Sequence, residues 1–452
     1  MGRRFKRVDY EASLKQTVTL EEVLPPDHLA RFIVGTIRLL DLSAIYAQYG
    51  PIGGEPYAPE ILLGLLLYGY ATGTFSSRKI ETATYESIPY RYIAGGLHPD
   101  HDTIATFRKT FLAEIASLFA QVLLVARELG VLEVGNISVD GSKIHADASK
   151  SQAVSYGRLL KIEAQLQAEV AELLALGEKA DQAALPDGLD IAHEVDLRQA
   201  KLANLAQAKA VLKARAEERL AAEQAEYEAK MREREAKEHQ RGRKLPGRQP
   251  KPPTPGPRDK DQYNFTDPDS RIMKNSTDGG FDQHYNVQLA VDQDNLLIVS
   301  NTLSNHPSDR CEAIPTLDAI PPVIGRPQAA ALDNGYFSPD NITQLELRGI
   351  DPFIATGRDP HYPSWQGRFV DLPDQPPVDA SPKVRMAYKL KTKIGQAIYR
   401  LRKSTVEPVI GIIKEVLGFR QFSLRGLAAA TGEWSLVCLA FNLKRLHRLA
   451  RG

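Results

Sequence analysis

Short β-branched runs alternate with segments of helical period from residue 131 to residue 420. After the first run the series stops for residues 151–240 and then resumes. A chain with this order is expected to fold into a mixed sheet with helices on its faces, carrying a long insertion after the first strand. That strand is predicted over residues 137–140, where Ile137 and Val139 alternate with Ser138, the turn pair Gly135-Asn136 precedes, and Asp140-Gly141 follows. In the insertion Leu159, Ile162, Leu166, Val170 and Leu173 recur every three or four residues. Leu202, Leu205, Leu212 and Leu220 continue the theme, and Pro186-Asp187-Gly188 breaks it in the middle. This is the pattern of a helical hairpin or short coiled coil. Strands return at 284–291 and 296–300, on either side of Asp292-Gln293-Asp294-Asn295. A helix near 309–320, a strand at 329–332, a helix at 339–349 and a strand at 350–356 follow. A proline-rich loop over 359–382 then leads to helices over 383–405, 408–416 and 427–449.

The first 130 residues read as helical. Pro59 opens an apolar stretch that Gly73 ends, and Ser76 and Ser77 are caps for a second helix. Asp102 or Thr103 is expected to cap one long amphipathic helix through Ile104, Phe107, Phe111, Ile115, Phe119 and Val122. Such a set suits a helix-turn-helix-like unit or an ordinary bundle, and this segment alone favours the bundle.

Composition excludes several classes. The chain of 452 residues is long enough for two or three domains, and 43% hydrophobic with 25% charged residues is the balance of a soluble globular protein. Two cysteines, Cys311 and Cys438, give neither a disulfide scaffold nor a cysteine-rich zinc module and suit a reducing cytosol. No apolar run approaches the roughly 18 residues of a membrane span, and no apolar segment follows the basic N-terminus, so a cytoplasmic protein is expected. Phosphate-loop and dinucleotide fingerprints are absent, and the ten histidines lack zinc-protease spacing. Net charge is only +1, but it is unevenly placed: residues 241–260 hold seven Lys/Arg against one Asp/Glu, and residues 383–452 hold fifteen against three. The first block reads as a solvated linker. The second, in a segment predicted to fold, points to a polyanion, and nucleic acid is the expected partner.

Asp140 and Asp333 each follow a short apolar run and each precede a glycine within two residues. A sheet can bring two such strand ends together. Glu407 is the only acid between Lys383 and Lys414, and it stands among Tyr399, Arg400, Arg402, Lys403 and Lys414. Three carboxylates are hard oxygen donors for two divalent cations, the arrangement of two-metal phosphoryl transfer, and neighbouring cations would hold the backbone of DNA. Asp267, Asp269, Asp278, Asp282, Asp292 and Asp294 are rivals on spacing alone, and a strand-ending Asp is also an ordinary turn former. His145, five residues beyond Asp140, is expected on the other face of the strand and in a structural role.

The motifs around these residues resemble those of bacterial insertion-sequence transposases of the DDE type, in the group with a helical N-terminal domain and a ribonuclease H-like catalytic domain. "PDHDTIATFRK" at 99–109 is similar to that group's N-terminal motif, "ISVDGSKIHADAS" at 137–149 to its first-aspartate segment, and "ALDNGYFS" at 331–338 to its second. "YRLRKSTVEPVIGIIK" at 399–414 resembles the glutamate signature of Tyr, two residues, Arg, three residues, Glu, six residues, Lys. Four residues separate Arg402 from Glu407, so either Arg402 or Lys403 takes the arginine's role. Pro408 suits a helix's first turn and is expected to put Glu407 at a helix start or kink.

The resemblance implies a ribonuclease H-like mixed sheet with flanking helices, an all-helical N-terminal domain and a long helical-hairpin insertion after the first strand. The domain plan is 1–130 helical and DNA-binding, 131–150 first strand of the catalytic domain, 151–240 hairpin insertion, 241–265 basic linker, 266–420 remainder of the catalytic domain, and 421–452 basic C-terminal helix. Asp140, Asp333 and Glu407 would be the catalytic acids and ligands of two Mg²⁺ (or Mn²⁺) ions. Tyr399, Arg400, Arg402, Lys403 and Lys414 would contact DNA. The partners implied are double-stranded DNA, as element ends and target, and at least a second copy of the chain, with no membrane. A DNA-binding or regulatory descendant without catalysis, and a coiled-coil interaction protein, are the competing readings.

Overall fold

The computed structural model describes residues 19–50, 54–179, 188–275, 279–357, 374–377 and 379–451. It separates into two units, one of residues 1–146 and 284–452 and the other of residues 147–283.

The first unit begins with helices α1 (Leu20–Val23), α2 (Leu29–Ile37), α3 (Ser43–Tyr46), α4 (Pro59–Thr72), α5 (Ser77–Glu86), α6 (Ile88–Ile93), α7 (His101–Thr110) and α8 (Leu112–Glu128). In α4, Pro59 supplies the fixed φ of a first turn, and Gly73 at φ 84° closes the helix in the left-handed region. Residues 62–71 of α4 are all buried, which makes it the core helix of this region. The single long helix expected from residue 102 is two helices bent by 72°. Phe111, at φ −103° and ψ 23°, leaves helical geometry between them, and Asp100, not Asp102 or Thr103, caps the first through the Thr103 amide at 2.8 Å. Among the described residues no single helix is long and apolar enough to cross a membrane.

The sheet of this unit uses β1 (Asn136–His145), β5 (Phe281–Asp292), β6 (Ile298–Ser304), β7 (Ala329–Leu332) and β8 (Asp351–Ile354), in the spatial order β6-β5-β1-β7-β8. The pairs β6–β5 and β5–β1 are antiparallel, and β1–β7 and β7–β8 are parallel. All four residues of β7 are buried, as a central parallel strand between two neighbours requires. β1 is longer than predicted. Asp140-Gly141 does not end it, and its pairing with β5 continues through Asp140 opposite Leu289 and Gly141 opposite Gln288 to His145 opposite His284. The rings of His145 and His284 lie 4.3 Å apart, and the His145 amide donates to the Arg420 carbonyl.

Helices α11 (Ala313–Asp318), α12 (Pro339–Leu347), α13 (Pro382–Lys391), α14 (Lys393–Gly411) and α15 (Leu427–Leu449) complete the unit. The expected break before Pro408 is absent. Thr392 caps α14 by accepting from the Gly395 amide at 3.0 Å, and the helix then runs through Pro408. Proline costs such a helix one backbone bond, but Thr405, Val406 and Val409 are buried on either side of it, and that packing carries the helix through. A π-turn, Ile412–Val416, follows. Most of α15 is buried, against α8, α4 and β6.

The second unit contains β2 (Ala153–Ser155), α9 (Tyr156–Lys179), α10 (Ile191–Arg241), β3 (Gln262–Asn264) and β4 (Arg271–Lys274). The turn expected at Pro186-Asp187 lies outside the described residues. α9 and α10 pack through Leu159, Leu166, Leu205, Ala208 and Leu212, with ion pairs Arg198–Glu169 (2.7 Å) and Lys209–Glu163 (2.6 Å) beside the seam. The end of the basic stretch is tied down. Arg258 pairs with Glu223, Arg219 with Asp261, and β3 pairs with β2.

The N-terminal helices and α15 are joined by a buried polar contact. Glu433 is fully buried and accepts from the Tyr70 hydroxyl (3.0 Å) and from the Ser423 and Leu424 amides (2.9 and 3.1 Å). Arg108 donates to the same hydroxyl at 2.9 Å and stands 4.0 Å from Glu433. Glu433→Ala leaves Arg108 buried without its counter-charge. It is expected to cost about 3 kcal/mol of unfolding free energy, read from urea denaturation. A loss below about 1 kcal/mol would show that this contact does not join the two parts.

Candidate active site

Parallel register brings two of the acids together. Val139 of β1 pairs with Leu332 of β7, so Asp140 and Asp333 are the next residues along two adjacent strands. Neighbouring strands lie about 4.8 Å apart, and Asp333 acts electrostatically on Asp140. Asp333 stands where β7 ends and caps the following 3₁₀ turn, Asn334–Tyr336, accepting from the Gly335 amide at 2.8 Å.

Helix α14 lies across β1 and β7 and brings the third. Its buried stripe is Arg402, Thr405, Val406 and Val409, the spacing of one helical face. The Arg402 guanidinium reaches Asp140 Oδ2 from Nη1 and Glu407 Oε1 from Nη2, each at 2.8 Å. Asp333 also acts on it electrostatically. Two carboxylates far apart in sequence, Asp140 and Glu407, thus meet on one arginine. A buried set of hydroxyls holds the helix in register: Thr405 Oγ1 donates to Ser138 Oγ at 2.8 Å, and Gln293 Nε2 donates to Ser138 Oγ at 2.9 Å and to the Ile398 carbonyl at 3.1 Å.

The five residues expected to contact DNA separate into two groups. Arg402 turns inward to the acids. Lys414, half-buried, donates to Ser142 Oγ at 3.1 Å, and burial lowers its pKa. Both side chains are engaged with β1, because the stripe that carries Thr405 and Val409 faces the sheet. Tyr399, Arg400 and Lys403 instead line a cleft of about 520 Å³ with Thr356, Lys391 and Gln396. Position 402 falls in phase with 405, 406 and 409, and position 403 does not; that signal separates Arg402 from Lys403 and is present in the sequence.

Among the described residues no three His, Cys, Asp or Glu side chains stand in metal-ligating geometry. Arg402 stands between Asp140 and Glu407. Of the rival acids, Asp292 accepts from the Asn295 amide at 2.7 Å and forms the β5–β6 turn. Asp267 accepts from the Asp269 amide at 3.2 Å, and Asp282 pairs with Lys150 at 2.8 Å, both in the second unit. Asp278 lies outside the described residues. Missed from sequence were Ser138, Gln293 and Thr405, whose small polar side chains carry no motif.

Two family models match the chain. One, described as a transposase domain (DUF772), matches residues 18–110; the other, described as a transposase DDE domain, matches residues 377–447. No curated protein and no solved structure matches. The two models, one toward each end, support an insertion-sequence transposase of the DDE type. The second spans α14 and so includes Arg402 and Glu407, while Asp140 and Asp333 lie outside both matches.

Burial pushes the Asp140 carboxyl up to about 6. The Arg402 guanidinium and the Gly141 amide pull it down, and the like charges of Asp333 and Glu407 raise it. A carboxyl raised on folding favours its neutral form. The stability that form contributes is fully present below the ordinary carboxylate range and is lost as pH rises through about 6. Asp140→Asn removes this loss. The variant is expected to be more stable than the parent by about 3 kcal/mol at pH 8 and nearly equal to it at pH 4, read from urea midpoints at both values. An equal difference at the two pH values would assign the effect to something other than the ionisation of Asp140.

Proposed function

We propose that this chain is a DNA transposase that binds the terminal inverted repeats of its element, cleaves the element's ends and transfers them to target DNA. The observation that carries the reading is that Arg402 joins Asp140 to Glu407 while the β1–β7 register sets Asp333 beside Asp140. Strand order β6-β5-β1-β7-β8, with three antiparallel strands and two parallel to β1, supports a ribonuclease H-like catalytic domain built from residues 131–150 and 266–420. Residues 1–130 are then a helical DNA-binding domain, 151–240 a helical-hairpin insertion, 241–265 a basic linker and 421–452 a basic C-terminal helix. Two ends must be paired, so the acting species is a homodimer or larger, working on DNA in the cytoplasm.

Asp140, Asp333 and Glu407 are the proposed catalytic acids and the proposed ligands of two Mg²⁺ or Mn²⁺ ions. Donor chemistry supports this. Asp140 and Glu407 share one guanidinium, Asp333 stands beside Asp140 on the neighbouring strand, and burial holds Asp140 above its usual range; hard divalent cations would favour the charged form of such a set. Such cations supply polarisation of the phosphoryl group and activation of the attacking hydroxyl. Arg402 holds Asp140 and Glu407 in place. Tyr399, Arg400 and Lys403 around the cleft hold the DNA backbone. Lys414 pins the end of α14 to β1.

Asp140→Ala, Asp333→Ala and Glu407→Ala are each expected to abolish metal-dependent cleavage of a fragment carrying the element's inverted repeats and to leave DNA affinity unchanged. Full cutting by any one of them would remove that residue from the site. One observation favours a DNA-binding descendant without catalysis, the guanidinium standing between Asp140 and Glu407. Salt-dependent binding with no cutting in Mg²⁺ or Mn²⁺ would establish that reading instead.

The neutral double variant Arg400→Gln/Lys403→Gln is expected to weaken DNA binding. It should also flatten the plot of log affinity against log salt by about two ion releases. An unchanged slope would take the cleft away from the DNA path.

A further inference from the structure

The turn that carries Asp333 is suspended from a polar relay on the face of the sheet opposite Asp140. Tyr336, last residue of that turn, is fully buried and donates its hydroxyl to Gln288 Oε1 on β5. Gln288 Nε2 donates to Asp309 Oδ1 at 2.9 Å. The same oxygen accepts from Asn286 Nδ2 at 2.7 Å and Lys143 Nζ at 3.2 Å, so side chains from β1 and β5 meet on it. A second strap runs beside the first: Asn341 Nδ2 donates to the Tyr336 carbonyl at 2.7 Å and to the Arg310 carbonyl at 2.8 Å. The Asp333 turn is thus tied twice to residues 309–310.

Gly141 explains why the relay fits. It is the partner of Gln288 across β1–β5. A Cβ at position 141 would run into Gln288 Nε2 and lie 3.0 Å from Asp309 Oδ1. The glycine after Asp140 therefore makes no turn; it leaves the space in which Gln288 and Asp309 meet.

We propose that Tyr336, Gln288 and Asp309 are positioning residues that fix Asp333 against Asp140, seated in the gap left by Gly141. The inference rests on the catalytic reading of Asp140 and Asp333. Hydrogen-bond relays of this kind, here with Tyr336, Gln288 and Asn286 buried and Asp309 part-exposed, hold reacting groups in place, and losing one member costs on the order of ten- to a hundred-fold in activity or metal affinity.

The test uses the full chain and the cleavage assay, with circular dichroism melts as a fold control. Tyr336→Phe removes one hydroxyl. It is expected to lower kcat about tenfold and to raise the Mg²⁺ concentration for half-maximal cutting, with KM for DNA unchanged. Asp309→Ala is expected to do the same, and Asp309→Asn, which keeps an acceptor oxygen, to restore most of the rate. Activity that falls only in proportion to the unfolded fraction would overturn the proposal. So would a wild-type kcat and Mg²⁺ midpoint in both Tyr336→Phe and Asp309→Ala while Asp333→Ala is inactive. Cutting that survives Asp333→Ala would remove the catalytic reading itself, so the two failures are distinguishable.

Discussion

One guanidinium bridges two carboxylates, Asp140 and Glu407, and the seating of α14 on β1 lets it do so. Like charges resist being brought together, and each buried carboxylate adds a desolvation cost. Arg402 offsets part of both by donating to Asp140 and Glu407 through separate nitrogens. For this it must sit on the buried stripe of α14, and α14 must lie across β1 with Thr405 over Ser138. The hydroxyl contact sets the register; the register delivers the arginine. A one-residue slip of the helix would rotate Arg402 by about 100° and send it away from β1.

β1 is held from both faces. On one, Arg402, Thr405 and Lys414 reach Asp140, Ser138 and Ser142, alternate residues that share a side of the strand. On the other, Asp309 and the side chains it gathers close over Gly141 and Lys143. The central strand of a mixed sheet is the natural place for such a clamp, because its backbone is already paired on both edges. What remains adjustable is the chain beyond β7, where Asp333 sits in a turn and not in the ladder. That is where the additional ties from Tyr336 and Asn341 are found.

The sequence was informative where local chemistry decides and uninformative where partners decide. The strand at residues 329–332 is read correctly because four small apolar residues bounded by turn formers have few alternatives. The mixed character of the sheet and the helical N-terminal region follow from the same periodicities. Asp140-Gly141 misleads, since the pair is a turn signal by itself, and only Gln288, more than a hundred residues later, makes the glycine an extended strand residue. Pro408 misleads for a related reason. Its local preference is a helix start, and the packing of Val406 and Val409 overrides it. The bend at Phe111 carries no proline or glycine and has no local signature. The inward turn of Arg402 was legible from helical phase alone, whereas the destination of Lys414 depends on a hydroxyl at position 142 that no local pattern links to it.

The long interruption of the sheet is less disruptive than its length suggests. β1 ends at His145, and His284 of β5 faces it across the ladder with the two rings in contact. Residues 146–280 thus connect two adjacent antiparallel strands in sequence. The entropy of closing such a connection grows only logarithmically with length, and the intervening segment has its own core around Leu159, Leu205 and Leu212. The register of β1 against β5 is fixed by the strands and by the relay at Asp309, and not by a tight turn. A sheet whose register is secured by side chains in its middle tolerates a large insertion at the end of a strand pair. The side chains that meet on Asp309 tie β1 to β5 although so much chain separates the two strands in sequence.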